Sequence, residues 1–218
     1  MAPGFQSDGF ALVRGALSAA ECSDLTRLLA ETGHSRSGGT RRLLELEWCR
    51  SLATSLRQRL TVLSGGSWVA VQCTYFEKST AQNWLVPIHQ DLAIPVREQR
   101  EAPSFTAWSR KEGAIFVQPP PQVLQQLVAV RVHLDPCTES DGPLQVVPGS
   151  HGLGVLDAET ARATRDACGV ITCVAEAGDA LLMRPLLLHA SSKASGSSMR
   201  RVLHFLFGPP ELPHRIEW

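Results

Sequence analysis

The sequence carries no excess of either charge: 21 Lys and Arg are matched by 21 Asp and Glu. A neutral chain has no broad basic field to draw it to nucleic acid or to an anionic membrane surface. Any partner must be chosen at a local site, so a small molecule is expected and no protein partner is signalled. Nor is there an apolar run near the roughly 18 residues that a membrane helix needs. The first residues, MAPGFQSDGFALVRG, have no basic stretch leading into an apolar one, which argues against a secretory signal. The six cysteines (Cys22, Cys49, Cys73, Cys137, Cys168, Cys173) form no CxxC pair. With nothing to mark secretion, they are expected as reduced thiols in a cytoplasmic protein, several buried as small apolar groups. The chain closes on HRIEW, which is no peroxisomal address. No repeat, low-complexity tract or linker divides the 218 residues. That length suits one domain with a real core and is short for two, so a single domain over 1–218 is expected.

What is present changes character along the chain. The first part, about 1–64, reads as helical. Ser18-Ala19-Ala20-Glu21 has the pattern of a capping box, with Leu25, Leu28 and Leu29 following at helical spacing. A second helix is expected over 43–63, with Leu44, Trp48, Leu52, Leu56 and Leu60 on one stripe. From about 67 to 218 the texture is that of short strands: 67–76, 127–134, 144–147, 169–175, 179–183 and 200–207, separated by turns such as Asp141-Gly142-Pro143 and Ala177-Gly178-Asp179. Asp157 is expected to cap a short inserted helix over 157–167. The stretch 96–126 shows no clear pattern and reads as a long irregular lid or binding loop. Helices first and many short strands afterwards predict a mainly β protein, a sandwich or jelly-roll barrel with flanking helices.

Chemistry concentrates at His89-Gln90-Asp91. On extended backbone, residues i and i+2 point to the same side, so one imidazole and one carboxylate can meet on a single ion. His189, at the end of the apolar run 181–188, is the best third ligand. Two histidines and a carboxylate on one face of an octahedron leave three open positions, the arrangement of iron(II) oxygenases. A second HxD, His133-Leu134-Asp135, competes for the role, although the nearby Pro136 and Asp141-Gly142 give it the look of a strand end entering a hairpin. Eleven positions after His189 stand Arg200 and Arg201, opening the strand RRVLHFLF. Arginine beside a buried strand calls for an anion, and its fork suits a carboxylate. Ser191 can add a hydroxyl. Strand parity allows only one of the two arginines to point inward, without saying which.

With these residues assembled, the chain resembles the phytanoyl-CoA dioxygenase family of iron(II)- and 2-oxoglutarate-dependent oxygenases, and is most similar to its small bacterial members. The resemblance covers about 71–218 and rests on an ordered set of stretches: QCTYFEKS, NWLVPIHQDLAIPV, FVQPPPQVL, RVHLDP, DGPLQVVPGSH, LLMRPLLLHASS, RRVLHFLF and the closing IEW. It implies a double-stranded β-helix, the cupin-like jelly-roll barrel. It implies that His89, Asp91 and His189 hold iron(II), with dioxygen and 2-oxoglutarate as co-substrates. Arg200, rather than Arg201, and Ser191 would bind the distal carboxylate. By the same likeness Gln72 lines the co-substrate pocket, with Thr74 as its alternative, and His133 and His151 are structural. The family commonly has Trp before its HxD where this chain has Ile88, a departure that bears on pocket shape. Asp91 stands where iron halogenases of the superfamily carry a small residue, so halogenation is disfavoured. The implied reaction is oxidation of an unactivated C–H bond, hydroxylation by default, releasing succinate and CO2. Trp84, Trp108 and Gln118 are candidates to line the substrate pocket, whereas Arg97 and Arg100 alternate with Glu98 and Glu101 as a solvated charged face. The competing readings are a catalytically degenerate jelly-roll binding protein and a cupin-type metalloenzyme using zinc or manganese without 2-oxoglutarate.

Overall fold

The computed structural model describes residues 4–32, 39–64 and 67–218, without the side chains of 60–66. The Gly/Ser loop expected at 35–39 falls mostly outside the described residues, as does the side chain of Leu60. In chain order the elements are α1 (Phe5–Asp8), β1 (Phe10–Val13), α2 (Ala19–Glu31), α3 (Glu47–Ser64), β2 (Val69–Lys78), β3 (Val86–His89), β4 (Ile94–Val96), β5 (Thr106–Lys111), β6 (Ala114–Gln118), α4 (Pro121–Leu124), β7 (Val128–His133), β8 (Leu144–Val146), α5 (Ala158–Cys168), β9 (Ile171–Cys173), β10 (Ala180–Met183), β11 (His189–Ser191) and β12 (Arg200–Gly208).

The strands form a major sheet in the order β1-β10-β7-β12-β2 and a minor sheet in the order β3-β11-β8-β9, both antiparallel. This is the mainly β jelly-roll architecture, two sheets with helices against one of them. The alternation of β7 and β12 decides which face meets what. Val128, Val130 and Val132, with Leu203, Phe205 and Phe207, lie on the outer face and form one core with Cys22, Leu25 and Leu29 of α2 and Cys49, Leu52, Ala53 and Leu56 of α3. Truncating either fully buried phenylalanine to Ala there typically costs about 3–5 kcal/mol. On the inner face Ala129, Leu181, Met183 and Leu206 pack toward Leu144 and Val146 of the minor sheet. At the other end of the barrel this inner face turns polar.

The helices start where their caps dictate. Ser18 accepts from the Glu21 N–H while Glu21 accepts from the Ser18 N–H, the reciprocal box the sequence predicts. Asp157 accepts from the N–H groups of Glu159 and Thr160 to begin α5. The turn before β10 needs glycine at 178, since at φ +89° a Cβ would stand 2.2 Å from the Leu17 carbonyl oxygen. No described helix is long and apolar enough to cross a membrane.

One expectation is corrected. The stretch 96–126 is not irregular: β5 and β6 form a hairpin with β4 beside it, a three-stranded sheet of its own, and α4 follows. The hairpin turns on Glu112-Gly113, both at positive φ (50° and 81°), as a two-residue primed turn requires.

Candidate metal centre

β3 and β11 are neighbours in the minor sheet, and their register sets His189 directly opposite His89. The imidazole centroids lie 4.2 Å apart. Asp91 follows two residues on: its carboxylate oxygens are 3.8 Å from Nε2 of His89 and 3.7 Å from Nε2 of His189. Gln90 points the opposite way, as alternation demands. Its amide donates to the carbonyls of Gly154 and Leu186 and accepts from the Leu156 N–H. The Asp91 N–H donates to the Pro185 carbonyl. The HQD stretch is thereby pinned from behind while its two ends face the barrel.

The tautomers follow from the second nitrogens. Nδ1 of His89 lies 2.8 Å from the Pro87 carbonyl oxygen, and Nδ1 of His189 lies 2.8 Å from that of Leu187. A carbonyl only accepts, so each Nδ1 carries the proton and each Nε2 presents a lone pair to the common point. Burial, together with the nearby His89 and Arg131 and in spite of Asp91, holds the His189 pKa down to about 4, keeping the ring neutral. For Asp91, desolvation pushes upward, but His189, His204 and His89 outweigh it and the carboxyl stays below its usual range. Two imidazole nitrogens and one carboxylate, with ligand atoms within 4.8 Å of one another, fit a divalent ion such as iron(II). His189 is sunk in the wall (6% of its side chain exposed), whereas His89 and Asp91 keep 37% and 38% exposed, so one side of the cluster opens on a cavity.

That cavity, of about 300 Å³, is walled by β2 and β12 of the major sheet. Arg200 is buried and lines it, as does Ser191. Arg200 Nη1 donates to the Gly142 carbonyl (2.6 Å), and its Nε has no partner. Arg201 points the other way and grips Asp135 with Nε at 2.7 Å and Nη2 at 2.6 Å. The parity left open by the sequence is therefore decided by a partner, and the second HxD is spent: Asp135 takes Arg201, while His133 is buried at the end of β7.

A model of the phytanoyl-CoA dioxygenase (PhyH) family matches residues 5–202. The chain belongs to the phytanoyl-CoA dioxygenase family. Several solved structures share its fold. SnoN, an epimerase from nogalamycin biosynthesis crystallised with Fe3+, alpha-ketoglutarate and nogalamycin RO, is 19% identical, with a TM-score of 0.73 over 94% of this chain and 81% of that one. SnoK, a carbocyclase of the same biosynthesis, is 12% identical, with a TM-score of 0.72 over 95% and 82%. HygX from Streptomyces hygroscopicus, with nickel, 2-oxoglutarate and hygromycin B bound, is 19% identical, with a TM-score of 0.64 over 94% and 84%. Comparison with curated proteins returns no match.

In this phytanoyl-CoA dioxygenase relative, the remaining expected residues fall on different sides of the triad. Ser191 donates to the Gly142 carbonyl (3.0 Å) and accepts from Lys78 Nζ (2.5 Å). Gly142 sits at φ +62°, and a Cβ there would come within 2.5 Å of the Ser192 carbonyl oxygen, so glycine alone lets this turn deliver its carbonyl to both Arg200 and Ser191. Gln72 and Thr74, hydrogen-bonded to each other (2.8 Å), line a second, outer chamber of about 420 Å³ that meets the first at His89 and Asp91. Trp84 lines the inner chamber rather than the outer one. Trp108 packs on the apolar core and Gln118 sits half-buried on β6, neither lining a chamber. His151 rests against Gly9 with Nε2 donating to the Gln6 carbonyl (3.2 Å), and Ser150 of the same turn accepts from the Leu188 N–H just ahead of His189. Arg97 pairs with Glu217 and Arg100 with Glu98 at the surface.

Three inner-face residues escaped the sequence reading: Lys78 on β2, Arg131 on β7 and His204 on β12. All three line the inner chamber. Burial, with Arg200 and Arg131 adjacent, brings the Lys78 pKa down to about 8. Arg131 Nη1 donates to Nδ1 of His204 (3.1 Å), whose pKa burial and that guanidinium hold at about 3. The signal was parity: Lys78 follows Gln72, Thr74 and Phe76 at every second position of one strand.

Proposed function

We propose that this chain is an iron(II)- and 2-oxoglutarate-dependent oxygenase that hydroxylates an unactivated C–H bond of a small molecule. The observation that carries the reading is the shared cavity: one chamber is lined both by the cluster of His89, Asp91 and His189 and by Arg200 with Ser191. His89, Asp91 and His189 would hold the metal through Nε2, a carboxylate oxygen and Nε2. When bound, iron(II) with 2-oxoglutarate and dioxygen supplies the oxidising power for C–H cleavage, with succinate and CO2 as products.

The protein's own part is placement. Arg200 and Ser191 hold the distal carboxylate of 2-oxoglutarate. Gly142 fixes both groups through its carbonyl. The i−2 carbonyls keep both imidazoles in the tautomer that offers Nε2. The outer chamber receives the substrate beside His89 and Asp91, and Gln72 and Thr74 meet bound ligands from that side. The helical part and the barrel share one core, which supports treating 1–218 as a single domain.

The test is succinate release by anaerobically purified protein supplied with iron(II), 2-oxoglutarate and oxygen. The reading expects turnover that vanishes in Asp91→Ala and falls sharply in Arg200→Ala. Equal rates in both variants and the parent would overturn it. Because SnoN and SnoK are an epimerase and a carbocyclase, a second outcome at the same carbon is kept. Product mass separates them: one added oxygen for hydroxylation, no change for epimerisation, loss of two hydrogens for ring closure.

A further inference from the structure

Lys78 is 1% exposed, among the largest fully buried side chains of the molecule. Its Nζ touches two neutral oxygens, the Ser191 hydroxyl and the Ser192 carbonyl, each at 2.5 Å. Its register partner on β12 is Arg200, directly across the strand pair on the same face. Two like charges so placed repel each other, and a buried ammonium without a counter-ion is costly. Arg131 adds a third cation to the same wall, and Asp91 is the one carboxylate lining the chamber. Arg200 Nε, buried and without a partner, completes a group of donors awaiting an acceptor.

We propose that Lys78 is a second cation for the distal carboxylate of the co-substrate, closing on it from β2 while Arg200 closes from β12, and that this pair restricts the site to 2-oxo acids with a distal carboxylate. The inference rests on the 2-oxoglutarate reading above and adds a residue to it. Its geometry comes from β11. Ser191 lies two residues beyond His189, which is about 7 Å of strand. The Lys78 amine, held on the Ser191 hydroxyl, therefore stands one short dicarboxylate's length from the metal ligands. The Trp84 ring, whose centroid is 5.7 Å from Nζ, walls the amine on another side. A carboxylate arriving there would receive charge-assisted donors from both strands, relieving the cross-strand repulsion between Lys78 and Arg200.

The test measures binding rather than turnover, on protein loaded with nickel(II), by titration calorimetry with 2-oxoglutarate and with pyruvate, which has the same chelating end and no distal carboxylate. Lys78→Met should weaken 2-oxoglutarate binding roughly 10- to 100-fold and leave pyruvate binding within about twofold, as expected for loss of a hydrogen bond to a charged group. Lys78→Arg should recover most of the loss. Equal affinity of Lys78→Met and parent for 2-oxoglutarate, or equal weakening for both acids, overturns the proposal. If the parent binds neither acid, the 2-oxoglutarate reading itself fails, a distinct outcome. Should Lys78→Met not fold, a crystal structure of the parent with nickel(II) and 2-oxoglutarate decides. Nζ within hydrogen-bonding distance of the distal carboxylate sustains the proposal. Nζ still occupied by Ser191 and Ser192, with the carboxylate out of reach, ends it.

Discussion

The two chambers that meet at His89 and Asp91 differ in what lines them beyond the residues they share. The inner one is a wall of fixed charge, with Lys78, Arg131 and Arg200 on three adjacent strands of the major sheet. The outer one is mixed: Gln72 and Thr74 from the sheet, Leu92 and Ala93 beyond the HQD stretch, Phe116 and Lys111 from the β5–β6 hairpin, and Arg41, which lines both chambers. Charge on paired strands specifies one small anion and tolerates little change. A mixed surface closed by a hairpin outside the barrel can be reshaped without disturbing the sheets. On the proposed function, the first chamber would take the co-substrate and the second would choose the substrate.

The sharpest break is at the junction. Asp91→Ala should weaken iron(II) retention and reduce succinate formation by about 1000-fold or more, because it removes one of the three ligands and the anionic one among them. Next, within the inner chamber, Arg200→Ala should raise the KM for 2-oxoglutarate roughly 30-fold or more with a smaller change in kcat. If KM is unmoved, the charged wall does not bind the co-substrate.

His133 reports the inner chamber by pH. Burial, then Arg131 and Arg200, hold its pKa at about 3, against about 6.5 unfolded. Between those values the unfolded chain binds a proton that the folded one refuses, so stability rises with pH across the window. The contribution is complete above about pH 6.5 and is lost as pH falls toward 3, amounting to at most about 5 kcal/mol. Urea unfolding followed from pH 7 to pH 4 should show this loss, and His133→Leu should remove its share while His189 and His204 keep theirs.

Smaller effects are expected outside the charged wall. Phe116→Ala should change the KM for the organic substrate while leaving the KM for 2-oxoglutarate within about threefold, measured in the same succinate assay. A parallel rise in both would merge the two chambers into one site. Smallest is Arg201→Ala, which breaks the largely buried pair with Asp135 and should cost about 1–2 kcal/mol in chemical unfolding with 2-oxoglutarate binding intact.

Sequence pattern was most readable where structure is local. The Ser18 box, the Asp157 cap and the strand alternation of β7 and β12 each follow from residues close together in the chain. The HQD stretch was readable for the same reason, since its two useful side chains are separated by one residue. The choice between Arg200 and Arg201 was not, because it depends on Asp135, 66 positions away. Lys78 was overlooked because a lysine near a strand end ordinarily extends its amine to water. Here β12 and the Ser191–Ser192 corner enclose it, a tertiary fact. The hairpin over 106–118 was missed because its turn is Glu-Gly, a weaker signal than Asn-Gly or Asp-Gly, and because its first strand, TAWSRK, sets its two apolar residues side by side and shows no apolar alternation.

His89 and His189 sit on different strands, and β3 is the border strand of its sheet, bonded to β11 alone. An ion shared by these two imidazoles is therefore a clasp on the sheet's margin as well as a reagent. Without it the border has four residues and few backbone bonds to keep it closed. Amide exchange along 86–89 should slow markedly when the metal is added, far more than along β7 at the centre of the other sheet. The strand that carries the first ligand would thus be secured by the ion it helps to hold.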